Sequence, residues 1–257
     1  MLKNMYLIVA LLFINGCTSG GTPQPEPYKA TASNRESMLI QSSNHNQLIE
    51  LYKQQLQVAE DVETRIKLAN VYQASGDFDS ALFVLESVDD LETNTSALKI
   101  KAKAKYQLRK ISSSLALTKK ALELQPKDGE LHNLLGILYS ELGDFNAAEA
   151  SLNQARRYFY NDIAVKNNLA TVYMLQGHYD KAVNLLTPLY QNKPENEMVR
   201  SNLVIALVKS GDSYQAKAIL KQHYKRKDLD SVLKAIEASS KVIRSGHSLP
   251  LESNYEY

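Results

Sequence analysis

Cysteine occurs once in the 257 residues, at position 17, so no intramolecular disulfide can form and the meaning of that thiol lies in where it stands. The five histidines, His45, His132, His178, His223 and His247, are dispersed and share no short spacing of the kind that puts two ligands on one metal. There is no glycine-rich phosphate loop and no paired-cysteine or histidine-glutamate metal motif, and nothing singles out an acid-base pair among the 28 carboxylates. We therefore expect no metal, no cofactor and no catalytic residue. Two stretches mix cations with aromatics: Arg156-Arg157-Tyr158-Phe159-Tyr160, and Lys221 to Lys227. On a nucleic-acid platform that mixture gives stacking plus phosphate contact. At a helix end the cations complement the dipole and the aromatics pack on the next element. With 30 Lys and Arg against 28 Asp and Glu, the net charge of +2 supplies no long-range field, so the structural role is expected for both stretches and nucleic acid is not an expected partner.

Cys17 closes a leader. Lys3 is followed by an apolar run from Met5 to Ile14 and then by Gly16, the pattern of a secretory signal over residues 1–16. The run is too short for a permanent span, which needs about 20 apolar residues. The junction Ile14-Asn15-Gly16-Cys17 resembles the lipobox of bacterial lipoproteins, which implies that Cys17 is acylated and becomes the first mature residue. Thr18 stands where an Asp would retain an enteric-type lipoprotein at the inner membrane, so the periplasmic face of a Gram-negative outer membrane is the expected location. Residues 17–44 are rich in Thr, Ser, Gly, Pro and Gln around a TPQPEP core, and read as a flexible tether extended at roughly 3 Å per residue in its Pro-rich part.

The elements that must carry any function repeat. Gly143, Gly177 and Gly211 are spaced by 34 residues, and Gly76 lies 67 before Gly143. That register divides residues 62–230 into five units, 62–94, 95–128, 129–162, 163–196 and 197–230. The eighth position holds Ala69, Ala102, Gly136, Ala170 and Val204, and the twentieth Ala81, Ser114, Ala148, Ala182 and Ala216, small residues that let two antiparallel helices cross closely. Leu68, Leu135, Leu169 and Leu203 at position seven and Leu85, Leu152, Leu186 and Leu220 at position 24 supply the apolar stripes. In the second unit Lys101 and Lys105 replace apolar residues and Arg109 replaces the turn glycine, which points to a distorted repeat or a local bend. A flanking helix is expected over 45–61, a capping helix from Asp228 to Arg244 with residues 231–244 beyond the last unit, and a loose tail over 245–257.

The recurring small, large and turn positions resemble the tetratricopeptide repeat (TPR) family, which implies an all-α superhelical solenoid of antiparallel helix pairs with a protein-binding concave face. In that family positions two, five, six, nine and twelve face inward. By that resemblance the partner-binding residues include Asn70, Lys99, Lys103, Asn133, Asn167, Asn168, Thr171, Met174 and Asn202. Asparagine donates and accepts at once, so a ladder of them suits the backbone of an extended peptide. Residues 163–220, with Asn167-Asn168-Leu169-Ala170, Leu185-Leu186-Thr187-Pro188-Leu189 and Asn202-Leu203 before Ala206-Leu207, resemble the TadD-like TPR lipoproteins of tight-adherence (Flp) pilus assembly. That resemblance implies a scaffold, not an enzyme, with the pilus secretin or other pilus components as partners, the membrane reached through the N-terminal lipid, and a role in adhesion and biofilm formation. The competing readings are a type IV pilus pilotin, an adaptor for peptidoglycan enzymes, and an enzyme with a site hidden in the groove.

Overall fold

The computed structural model describes residues 32–86, 93–224 and 228–239, and among these the regular elements are all α-helices. Helices α1 (Ala32–Gln41) and α2 (His45–Val58) lead into five pairs: α3 (Val62–Ala74) with α4 (Phe78–Glu86), α5 (Thr95–Gln107) with α6 (Ile111–Leu124), α7 (Gly129–Glu141) with α8 (Phe145–Arg157), α9 (Asp162–Leu175) with α10 (Tyr179–Asn192), and α11 (Glu197–Ser210) with α12 (Ser213–His223). Helix α13 (Leu229–Ala238) follows. The leader, Cys17, the tether up to residue 31 and the tail lie outside the described residues.

Caps fix where the helices start. Asp61, Asn94, Asp128, Asn161 and Asn196 precede the first helix of successive pairs, and each side chain accepts the N–H three residues on. Asp77, Asp144 and Asp212 do the same for second helices. Lys110 and His178 stand at the equivalent points of α6 and α10 and make no such bond. Replacing His178 by Asp should therefore stabilise the fold by about 1 kcal/mol, because it gives α10 the oxygen acceptor its sister helices have. A thermal melt followed by circular dichroism checks this, and a midpoint that falls or stays put contradicts it.

The small residues do what close crossing requires. Ala69, Ala81, Ala102, Ser114, Ala148, Ala170, Ala182, Val204 and Ala216 are all fully buried. Ser114 adds a specific tie, its hydroxyl donating across the pair to the Ala102 carbonyl at 2.8 Å. This answers the expectation of a distorted second unit: α5 and α6 form a full pair. Arg109 takes φ +59° in the turn, the left-handed conformation that Gly76, Gly143, Gly177 and Gly211 take in theirs. Leu98, Ala121 and Leu131 form the apolar contact there, leaving Lys101 and Lys105 half-buried.

The expected tether is corrected at its end, since residues 32–41 are helical. Leu39 is buried with Leu48, Ile49, Leu51, Tyr52, Leu68 and Val71, while the Glu36 carboxylate accepts the Tyr52 hydroxyl at 2.9 Å and pairs with Lys67 at 3.2 Å. So short a helix is held by contacts remote in sequence, which composition does not reveal. At the other end α13 stops at Ala238 with Ser239 extended, and Lys209 from α11 donates to the Glu237 and Ser239 carbonyls. The expected continuation over 240–244 lies outside the described residues.

Candidate functional site

First helices of successive repeats pack on one another, α3 on α5, α5 on α7, α7 on α9, α9 on α11 and α11 on α13, which places them along one inner side of the array. Between them run three recesses that share walls. One of about 410 Å³ is lined by Lys67, Asn70, Gln73, Lys99, Lys103 and Glu130. The next, about 420 Å³, shares Asn70, Gln73, Lys103 and Glu130 and adds Tyr106, Asn133, Leu134, Ile137 and Tyr160. A narrower one of about 80 Å³ shares Tyr106 and Ile137 and reaches Ser140, Glu141, Asn168 and Thr171. The three make a continuous trough along α3, α5, α7 and α9.

Its centre is charged and tied together. Lys99 pairs with Asp128 at 2.5 Å and Glu130 at 3.1 Å, and Lys103 with Glu130 at 2.7 Å. Burial pushes the Asp128 and Glu130 carboxyls up, but the ammonium groups beside them outweigh it and both lie below their usual values. The same contacts outweigh the desolvation of Lys99 and hold it above its usual value. Asp128, Glu130 and Lys99 thus stay ionised through neutral pH. The floor beside it is apolar and aromatic, with Tyr106, Leu134, Ile137 and Tyr160. Such a surface grips a chain carrying both apolar and polar side chains.

Of the residues expected to face a partner, Asn70, Lys99, Lys103, Asn133, Asn168 and Thr171 line the trough. Three expectations are corrected. Met174 is 1% exposed and packs in the core with Leu186 and Leu203. Asn167 and Asn202 are buried, and Asn202 Nδ2 donates to Asn167 Oδ1 at 2.9 Å. Asn168 Nδ2 likewise donates to Asn133 Oδ1 at 2.9 Å. The asparagine ladder exists, but its rungs join helix to helix. In the last repeat inward positions nine and twelve are closed as well, since Ile205 and Val208 are buried in one cluster with Leu233 and Ile236 of α13.

Gln73, Tyr106, Glu130, Ile137 and Ser140 were not anticipated, although they occupy inward positions two, nine and twelve of their units and could have been found there. Tyr160 gave no such signal, since it reaches the trough from the link between α8 and α9. Among the described residues the histidines do not converge. His132 stacks on Tyr158 at 5.3 Å and His223 bonds the Tyr190 hydroxyl at 2.9 Å, while among the described residues no three metal-ligating side chains gather.

Known proteins share this architecture. The chain superposes on the TPR protein TTC0263 of Thermus thermophilus with a TM-score of 0.58 and 22% identity, covering 69% of this chain and 100% of that one. On a tetratricopeptide repeat protein of Parabacteroides merdae the TM-score is 0.61 with 15% identity, over 74% and 77% of the two chains. In sequence it is 26% identical over 136 residues to the BBSome complex member BBS4 of Mus musculus, a match of 52% of this chain that spans only 26% of that relative's length. The profile of the tetratricopeptide repeat matches residues 107–171 and 173–239, together more than half of the 257 residues. With the helix pairs, the left-handed turns and the small crossing residues already in place, the match settles the assignment: the chain belongs to the tetratricopeptide repeat family.

Proposed function

We propose that this chain is a binding scaffold whose trough holds an extended segment of a partner protein, and that acylation of Cys17 ties it to the periplasmic face of a Gram-negative outer membrane. The observation that carries the first part is the continuous trough along α3, α5, α7 and α9, with an ionised centre beside the Tyr106, Ile137 and Tyr160 floor. The lipid reading rests on the Ile14-Asn15-Gly16-Cys17 junction. The likeness of residues 163–220 to the tight-adherence pilus lipoproteins supports the secretin or another pilus component as partner, with adhesion and biofilm formation as the outcome. Anchoring then raises the local concentration of that partner at the membrane.

The test is site-specific photo-crosslinking in cells from Asn70 and Ile137 in the trough and from Phe83, which is 72% exposed on α4. A partner captured from both trough positions and not from Phe83 is the expected result. In the same assay Ile137→Glu, which places a charge on the apolar floor, should lower the yield from position 70 at least about tenfold. Equal capture from Phe83 sinks the trough reading. A trough-specific partner that is a murein enzyme and no pilus component sinks the pilus assignment and leaves the scaffold standing.

A further inference from the structure

The two cation-aromatic stretches are far apart in sequence, yet every second helix ends on the same side of the array. Their ends therefore share one edge, with the end of α10 between them. Arg156 and Arg157 are exposed in the last turn of α8, Lys193 is exposed just past α10, and Lys221 is exposed in the last turn of α12. Two exposed apolar side chains stand among them. Phe159 is 95% exposed in the link after α8, and Met198 is 56% exposed in the first turn of α11.

Phe159 is not there by slack. Its φ is +56°, a conformation rare for a bulky residue, and the turn is fixed by Phe159 N–H donating to Arg156 O and Tyr160 N–H to Ala155 O, both at 3.0 Å. Tyr158 and Tyr160 on either side turn inward and are half-buried, so the phenyl ring alone is presented to the outside. Beneath the same edge lies Arg200, 9% exposed. Its guanidinium donates to the Pro194 carbonyl at 3.2 Å and the Tyr224 hydroxyl at 3.1 Å, and lies 5.3 Å from the Tyr224 ring, with no carboxylate paired to it among the described residues.

The acids on this edge are Asp162, which pairs with Arg156 at 3.7 Å and Lys166 at 2.6 Å, the exposed Glu195 and Glu197, and the exposed Asp228 and Asp230 at the start of α13, Asp230 pairing with Lys217 at 2.5 Å.

We propose that the edge formed by Arg156, Arg157, Phe159, Lys193, Met198 and Lys221 docks on an anionic lipid surface, with the cations on headgroup phosphates and Phe159 and Met198 in the boundary below them. A water-soluble polyanion would engage the cations and leave the phenyl ring in water. A bilayer satisfies both halves of the patch. The contact is independent of acylation at Cys17, and it would orient the array with the ends of its second helices toward the membrane.

The chain contains no tryptophan, so Phe159→Trp provides a single reporter within the patch. With the full chain, vesicles containing phosphatidylglycerol should blue-shift the emission of the introduced indole and expose it to quenching by brominated lipid, whereas phosphatidylcholine vesicles should do neither. Adding Arg156→Glu and Arg157→Glu to the reporter chain should weaken the partition about 25-fold or more, about fivefold for each cation removed, with circular dichroism showing the variant still folded at the assay temperature. Emission that keeps its water value in saturating anionic vesicles overturns the proposal, as does a shift that is equal in both lipids and indifferent to the charge reversal. A shift with polyglutamate but not with vesicles also overturns it, and assigns the edge to an acidic protein.

Discussion

Gly136→Val should destabilise the third repeat by about 3 kcal/mol or more, because the crossing of α7 and α8 has no room for a side chain. A Cβ at 136 would lie 2.6 Å from Leu152 Cγ, 2.9 Å from Leu152 Cδ2 and 3.1 Å from the Ala148 carbonyl oxygen. Leu152 is fully buried, and the atom met first is its branch point, so no flexible tip can swing away. Ala69, Ala102 and Ala170 hold the same position in other repeats at 0% exposure, so the array tolerates a methyl group where the facing residue leaves space. Gly136→Ala is the milder probe. It gains about 1 kcal/mol of helix propensity, which offsets part of the clash, so its net effect should fall well below that of Val.

Because each repeat touches mainly its neighbours, the damage should be local. Hydrogen exchange should rise in α7 and α8 and stay lower in α11 and α12. The trough should fail together with α7, which supplies Glu130, Asn133 and Ile137. A melting midpoint within experimental error of the parent, or loss spread evenly along the chain, would show that the crossing is looser than its geometry.

This crossing shows why so much of the fold was legible in sequence. A close approach of two helices forbids large residues at one position of each, and that prohibition recurs with every repeat, so Ala69 and Ala81 announce the same event as Ala170 and Ala182. The turn could be read for the same reason except at Arg109, where a residue other than glycine accepts the left-handed backbone and hides the unit it belongs to. Helix α1 could not be read, because what orders residues 32–41 is Leu39 against α2 and Glu36 against Tyr52 and Lys67, contacts with no local period. At the candidate site the inward positions led to part of the trough lining, and the same positions also hold Gln73, Tyr106, Glu130, Ile137 and Ser140, so position alone did not decide which side chains line it. Tyr106 and Ile137 belong to the trough, whereas Met174 sits at an inward position of α9 and is taken by the core. Which inward position stays open depends on what the next helix covers, and that is tertiary information.

Asn202→Leu should cost about 3 kcal/mol, and combining it with Asn167→Leu should recover much of that loss. Asn202 is 2% exposed and Asn167 1%, and the bond between them is the Nδ2 to Oδ1 contact of 2.9 Å. Asn167 Nδ2 already has no partner in the structure, so removing Asn202 leaves both ends of a buried amide unsatisfied, at about 1–3 kcal/mol for each group. Replacing both asparagines removes the stranded groups altogether, which is why the pair should be far less costly than the sum of its parts. Denaturant unfolding of the four proteins in the cycle measures this, with a coupling of at least about 1 kcal/mol as the expected outcome. The cycle also separates two roles for the same residues. If these asparagines join α9 to α11, the double variant should fold and still crosslink a partner from Asn70. If they held a peptide backbone, the double variant would fold and lose the partner, and the coupling would vanish because neither side chain would depend on the other.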